Sequence, residues 1–256
     1  MATVLFPLPD RDFDVTEVAV PWRLLRDAGH EPIFATEAGA TPACDPLLIT
    51  GVVFGKLGAR PEPIAFYREL ERDPSFVSPR RWSECRADDF DALFLAGGHA
   101  SGMRQYLGSE IVQQLTTAFF AAQKPIGAIC HGVLVAARSK RADGTSVLHG
   151  HKTTCLPKYM ERAAYLSTFW LRGRYYRTYP AYVEEEVRAA LASPDDFVRG
   201  PRELSKRGTR DDDAHAFSVE SGHYVSARWP GDAYLIGKQL IERLAAVKTG
   251  SAGAVR

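Results

Sequence analysis

The stretch Pro125-Ile126-Gly127-Ala128-Ile129-Cys130-His131-Gly132, running straight into Val133-Leu134-Val135-Ala136-Ala137-Arg138, decides the fold. A short apolar run without polar alternation reads as a strand buried on both faces, the kind found in parallel sheets. The apolar helix follows without a spacer, so Cys130 falls on a strand-to-helix turn. Towards the N-terminus, Phe90-Asp91-Ala92-Leu93-Phe94-Leu95-Ala96 is a second buried strand, closed by Gly97-Gly98-His99. Between the two, Ile111, Val112, Leu115 and Phe119 stand at helical spacing and predict an amphipathic helix over Ser109 to Gln123. At the start of the chain, Ala2 to Leu8 reads as a strand and Glu31 to Thr36 as another. Asp14 caps a helix between them that ends before Gly29, with a kink or late start at Pro21. Strand–helix–strand units in succession imply an α/β fold with a parallel sheet.

Residues 39–88 break this rhythm with repeated Pro and Gly, and a long irregular insertion in a compact α/β domain is expected to be a functional cap. Its one helix-like run is Ile64 to Glu71. Beyond the elbow, the pattern predicts a strand over His149 to Cys155 and a helix over Lys158 to Leu166. A further helix is read over Tyr182 to Ala192 and a solvated loop over Phe197 to Asp213. Ala216 to Val219 and Tyr224 to Ala227 flank Ser221-Gly222 as a hairpin, and Asp232 to Val247 is the closing helix. The chain is thus one domain over residues 1–248 with a cap at about 39–88, followed by a disordered Gly/Ser/Ala tail at 249–256.

Composition bounds the function. With 256 residues and 45% hydrophobic content, the chain can bury a large core without disulfides or metals. Lys+Arg total 32 and Asp+Glu 31, a net charge of +1, which argues against nucleic-acid and anionic-membrane partners. No apolar run approaches the roughly 18 residues of a membrane span. Met1 to Pro7 lacks the basic segment of a signal peptide, so a cytoplasmic location is expected. Cys44, Cys85, Cys130 and Cys155 form no C-x-x-C pair and fit neither a zinc site nor a disulfide framework. His149 and His151 share a face if they lie on a strand, but no further ligands can be assigned, so no metal is expected. Walker and dinucleotide fingerprints are absent, and no cofactor is expected.

Cys130 carries the chemistry. A nucleophile on a strand-to-helix turn sits in a strained backbone at the carboxyl edge of the sheet, and a following helix dipole favours thiolate over thiol. Gly132 permits a close turn, and the N–H after the cysteine can donate to an oxyanion. Gly97-Gly98 lies where open α/β sheets bind ligands, so its N–H groups can complete that site. His99 reads as a solvated loop histidine. The dense run Trp170, Arg172, Arg174, Tyr175, Tyr176, Arg177 and Tyr179 suits a pocket wall or a subunit contact.

Three features together resemble the ThiJ/PfpI family of the class I glutamine amidotransferase-like superfamily: the A-I-C-H-G elbow, the F-L-A-G-G-H strand end, and Glu17 followed four residues later by Pro21. The resemblance covers residues 2 to about 155. It implies a flavodoxin-like, doubly wound, mostly parallel sheet, here with the cap insertion and a C-terminal β-hairpin plus helix. It also implies Cys130 as nucleophile, Glu17 as the acid that contacts it, and His131 as helper. The Gly98 and His131 N–H groups would form the oxyanion hole, with Gly97 and His99 against the substrate. A homodimer without cofactor is implied as well. Glu17 has a second reading, as the N3 residue of a capping box behind Asp14. His151 to Pro157, where some relatives place a triad acid, contains none, and Glu161, the nearest, reads as a solvated helix residue. Without an orienting acid His131 is less suited to act as a general base.

The implied activity is on small reactive carbonyls: glyoxalase III-type conversion of methylglyoxal to lactate, or deglycation. The alternatives are a Cys-His amidase or peptidase, a small-molecule hydratase, or a non-enzymatic stress protein acting as redox sensor or holdase.

Overall fold

A computed structural model describes residues 1–203 and 205–253. The chain opens with β1 (Thr3–Pro7), a short β2 (Arg11–Phe13), helix α1 (Val15–Asp27) and β3 (Glu31–Thr36). The inserted region supplies β4 (Ala43–Cys44), α2 (Pro46–Thr50), α3 (Pro61–Leu70), α4 (Pro74–Val77) and β5 (Arg80–Arg81). Next come β6 (Ala92–Leu95), α5 (Met103–Leu107), α6 (Glu110–Ala121), β7 (Ile126–Ile129) and α7 (Val133–Arg138). The C-terminal part holds α8 (Lys158–Arg172), α9 (Val183–Ala189), the hairpin β8 (Ser218–Ser221) and β9 (Tyr224–Ala227), and α10 (Ala233–Gly253).

Seven strands form one sheet in the order β5-β3-β1-β6-β7-β9-β8, parallel throughout except for the β8–β9 hairpin; β2 and β4 pair separately. The strand order reverses at β1 and β6, so these two strands mark the topological switch point where open α/β sheets form their crevice. Every residue of β6 and β7 is buried, as their unbroken apolar sequences require. Helices cover both faces, with α1 lying against α3 and α10. Phe6 stacks on Phe94 at 5.0 Å and meets Phe34 at 5.3 Å, tying the central strands into one apolar layer.

The fold departs from the sequence reading in four places. Helix α1 runs unbroken from Val15 through Pro21, with the Asp14 carboxylate accepting from Thr16 N at 2.8 Å and Glu17 N at 3.1 Å. Residues 61–81 belong to the sandwich, since α3 packs on α1 and β5 extends the sheet beside β3. Pro61 and Pro63 start α3, where a missing N–H costs little, so they punctuate the sequence without breaking the helix. His149 to Cys155 is not a strand but a strap making one parallel bridge, Thr153 to Phe197. Its polar backbone is satisfied partly by loop backbone and partly by side chains: Thr153 N donates to Asp196 O at 2.8 Å and Thr154 N to Ser226 Oγ at 3.0 Å. Finally, α10 continues to Gly253, so residues 249–253 of the expected tail are helical, and 254–256 lie outside the described residues.

Candidate active site

Three loops at the carboxyl ends of β1, β6 and β7 converge on Cys130. Its φ of 58° lies in the left-handed region, strained for a side chain with a Cβ and a mark of residues held in place for function. The turn is enforced by Gly132, where a Cβ would stand 2.2 Å from Leu95 O and 2.7 Å from Ala96 O. Cys130 is fully buried.

Glu17, also fully buried, reaches this thiol from the first turn of α1. Its Oε2 accepts from Gly97 N at 2.8 Å, and its Oε1 is buried with no hydrogen-bond partner among the described residues. Oε2 and the Cys130 Cβ both crowd the space above Gly97, at 2.7 and 2.9 Å from where a Cβ would stand. The capping-box reading fails, because the Asp14 N–H that Glu17 would have to bond donates to Gly97 O at 2.8 Å. Asp14 caps the helix alone. Burial, then the neighbouring Asp14, hold the Glu17 carboxyl well above the usual carboxylate range. Asp14 itself is pushed up to about 6, chiefly by burial.

The expected thiolate is not what the surroundings favour. Desolvation first, then Glu17 and Asp14, raise the Cys130 thiol well above its ordinary value, and the His131 backbone N–H acting on the sulfur only partly offsets them. Thiol and carboxyl therefore form one coupled pair around a proton.

His131 Nδ1 lies 3.6 Å from Cys130 Sγ. Its Nε2 meets Thr178 Oγ1 at 3.3 Å, while that hydroxyl lies 2.5 Å from His99 O. With the single hydroxyl proton donated to the carbonyl, Thr178 accepts from Nε2–H, which leaves the Nδ1 lone pair towards the sulfur. No carboxylate touches this imidazole among the described residues. Burial, then His99 and the Arg138 and Arg177 cations, lower its pKa well below the usual value and keep it neutral.

Glu161 is a correction. It is 1% exposed rather than solvated, accepting from Arg177 Nη1 at 3.1 Å and from Val183 N at 3.0 Å, so it anchors the start of α9. A carboxylate on the inner face of α8 is tolerated only because both oxygens are bonded. Cys155 is buried near Glu161 and Glu184.

His99 is likewise not solvated. It is half-buried, packs edge-on against His131 at 4.8 Å between centroids, and burial lowers its pKa to about 4. Gly97 has its N–H taken by Glu17 and no room for a side chain, with Cys130 Cβ 2.9 Å from a built Cβ. The neighbouring Gly98 N–H has no acceptor among the described residues. One set of donors, His99, Cys130 and His131, has ligand atoms within 4.8 Å of one another and could hold a soft metal ion if the thiol gave up its proton.

A cavity of about 340 Å³ opens beside this cluster, with Asp14, Thr16 and His99 on its inner side. Leu48, Val52, Met160 and Tyr176 give it an apolar wall, so of the expected cap only residues near 48–59 face it. Tyr175 and Tyr176 both donate to Asp45, at 3.2 and 3.1 Å, and fix the aromatic run against the inserted region. Thr178, and Arg207 on the cavity lining, are functional residues that sequence reasoning misses, because no spacing signal marks residues brought in from distant loops.

A cysteine on a positive-φ elbow, met by an acid from the first helix of a flavodoxin-ordered sheet, defines a class of α/β proteins with a buried thiol–carboxyl pair. The chain belongs to the ThiJ/PfpI family: the model described as ThiJ/PfpI family-like matches residues 8–201. Among relatives, an uncharacterised Schizosaccharomyces pombe protein is 26% identical over 242 residues, covering 91% of this chain and 80% of its own. A protein named deglycase from Pyrococcus abyssi is 25% identical over 232 residues, covering 91% of this chain and 93% of its own. Among solved structures, glyoxalase III from Candida albicans superposes with a TM-score of 0.68 at 18% identity, covering 94% of this chain and 97% of that one. No described helix is long and apolar enough to cross a membrane.

Proposed function

We propose that this chain is a cofactor-independent, cysteine-dependent enzyme acting on small reactive carbonyls, by glyoxalase III-type conversion of methylglyoxal to lactate or by the related deglycation. The observation that carries the reading is the Glu17 carboxyl, buried, anchored on Gly97 N and placed with Cys130 on the same side of Gly97. The relatives named deglycase and the fold shared with a glyoxalase III support it.

In this reading the Cys130 sulfur adds to the aldehyde carbon of methylglyoxal. Its proton passes through the Glu17 carboxylate, with His131 Nδ1 alongside, to the carbonyl oxygen, which becomes the hemithioacetal hydroxyl. The resulting hemithioacetal oxygen is held by the His131 N–H and the unpaired Gly98 N–H. Glu17, again a carboxylate, takes the proton from the former aldehyde carbon and returns it to the adjacent carbon. The hydroxyl proton passes to the ketone oxygen, so that the ketone becomes an alcohol and the hemithioacetal oxygen a carbonyl. This leaves a lactoyl thioester on Cys130. Water attacks the thioester carbon, the C–S bond breaks, and lactate leaves as the thiol regains a proton. Burial holds the Glu17 pKa well above the usual carboxylate range, which suits it to take a proton and return it. His99 borders the substrate on the cavity side, and Gly97 positions the acid.

Amide hydrolysis is less well supported, because it relies on His131 charging during acyl transfer, and Thr178 offers no negative charge to steady an imidazolium. A cytoplasmic homodimer accompanies the reading on family resemblance.

The test is turnover of methylglyoxal to lactate, assayed beside a panel of simple amides, with wild-type and Cys130→Ser protein. Lactate formation that Cys130→Ser abolishes is the expected result. Amide hydrolysis without lactate formation would sink the reading.

A further inference from the structure

The cavity lined by His99, Asp14 and Thr16, whose wall does not include the fully buried Cys130, is larger than methylglyoxal requires, and three of its polar groups are unsatisfied. Thr16 Oγ1, His99 Nε2 and Trp229 Nε1 are each buried with no hydrogen-bond partner, and all three residues line the cavity. Buried polar atoms are nearly always paired in folded proteins, so three orphans around one cavity point to a ligand that supplies their partners. Two of them, a hydroxyl and an indole N–H, can donate to an oxygen.

Arg207 lines the same cavity. Its guanidinium lies over the Trp229 ring at 5.1 Å, and among the described residues it donates no hydrogen bond and forms no ion pair. Asp14 attracts it through space without contact, and Arg60 adds a second positive charge nearby. A partly desolvated guanidinium with all its donors unused, its Cζ over an aromatic ring, is a planar fork ready for a carboxylate. Leu156 and Met160 line the same cavity and supply apolar surface for the body of a ligand.

We propose that the cavity selects carbonyl compounds carrying a carboxylate at the end of an aliphatic body, with Arg207 as the specificity-determining residue and Trp229 Nε1 as a second donor. This rests on the reading of Cys130 as a carbonyl-directed nucleophile only for the reacting end of the substrate. The carboxylate end stands on Arg207 and Trp229, independently of that reading.

Calorimetric titration of the intact protein with unreactive pentanoate and its neutral counterpart pentanamide separates the two claims. Wild-type protein is expected to bind pentanoate about ten-fold or more tighter than pentanamide, the scale of a charge-assisted hydrogen bond. Arg207→Gln should erase that difference, and Arg207→Lys should restore part of it. Equal binding of the two probes by wild type, or an unaltered preference in Arg207→Gln, overturns the proposal. Because the probes do not react, methylglyoxal turnover without a carboxylate preference defeats only this inference. A carboxylate preference in a protein inert to methylglyoxal defeats only the reaction assigned above.

Discussion

At the scale of single residues, the site is a matter of where one proton resides. Glu17 and Cys130 are both buried. The acid raises the proton affinity of the thiol, whereas the thiol acts in the opposite direction on the acid, which burial and Asp14 hold up. Asp14 adds a second negative charge to both while it caps α1. Asn caps as well as Asp, so Asp14→Asn removes the charge and keeps the helix. Without that charge, the pair should ionise at lower pH, and the acid limb of the kcat/KM profile should move downward. Stability supplies a second readout. An acid whose folded pKa is raised from 3.8 to about 6 favours the fold below pH 4, and that contribution is lost as pH rises through 6. Denaturant unfolding should therefore show Asp14→Asn gaining on wild type between pH 4 and pH 7, by up to about 3 kcal/mol. A constant difference across that range would mean that Asp14 does not titrate as its burial requires. Cys130 and Glu17 are legible in the sequence because each sits at a fixed step from an element boundary. The protonation of Cys130 is not legible, because desolvation depends on everything packed around the thiol.

At the scale of elements, the geometry depends on glycines at strand ends. Gly132 lets α7 begin against the end of β6, with carbonyl oxygens of Leu95 and Ala96 occupying the space a Cβ would take. Both obstacles are backbone, so Gly132→Ala must move β6 or the elbow. The expected cost is about 1–3 kcal/mol or more, with loss of activity as Cys130 leaves its position. Wild-type stability in a denaturant titration of that variant would contradict this account of the turn. Strands β1, β3, β6, β7 and β9 are readable from their apolar runs. The strap at 149–155 reads wrongly as a strand because its Thr and His residues alternate as a strand's would. The alternation reflects instead Thr153 and Thr154 bonding the hairpin and His151 meeting Ser221 Oγ at 3.2 Å. Glu161 misleads for a related reason: its partner Arg177 and the α9 N-terminus arrive from a loop whose path local sequence does not encode.

At the scale of the whole molecule, the sheet places three loop ends at its switch point, and the C-terminal segments finish what they begin. Thr178 sets the tautomer of His131, and Arg207 and Trp229 close the cavity. Trp229 is held by the fully buried Arg228–Asp232 pair, with Nε to Oδ2 at 2.9 Å, which fixes the turn between β9 and α10. The nucleophile and its acid therefore come from the part of the chain with local signatures, whereas the walls and the orienting groups come from parts joined only by folding. The account stands on Glu17 as the group that moves the proton between adjacent carbons. Its most direct test is kcat/KM for methylglyoxal in Glu17→Gln protein shown to be folded by an unchanged thermal transition. A loss on the order of 10²–10⁴-fold, the usual contribution of a general acid–base, is predicted. Full turnover by Glu17→Gln would contradict it.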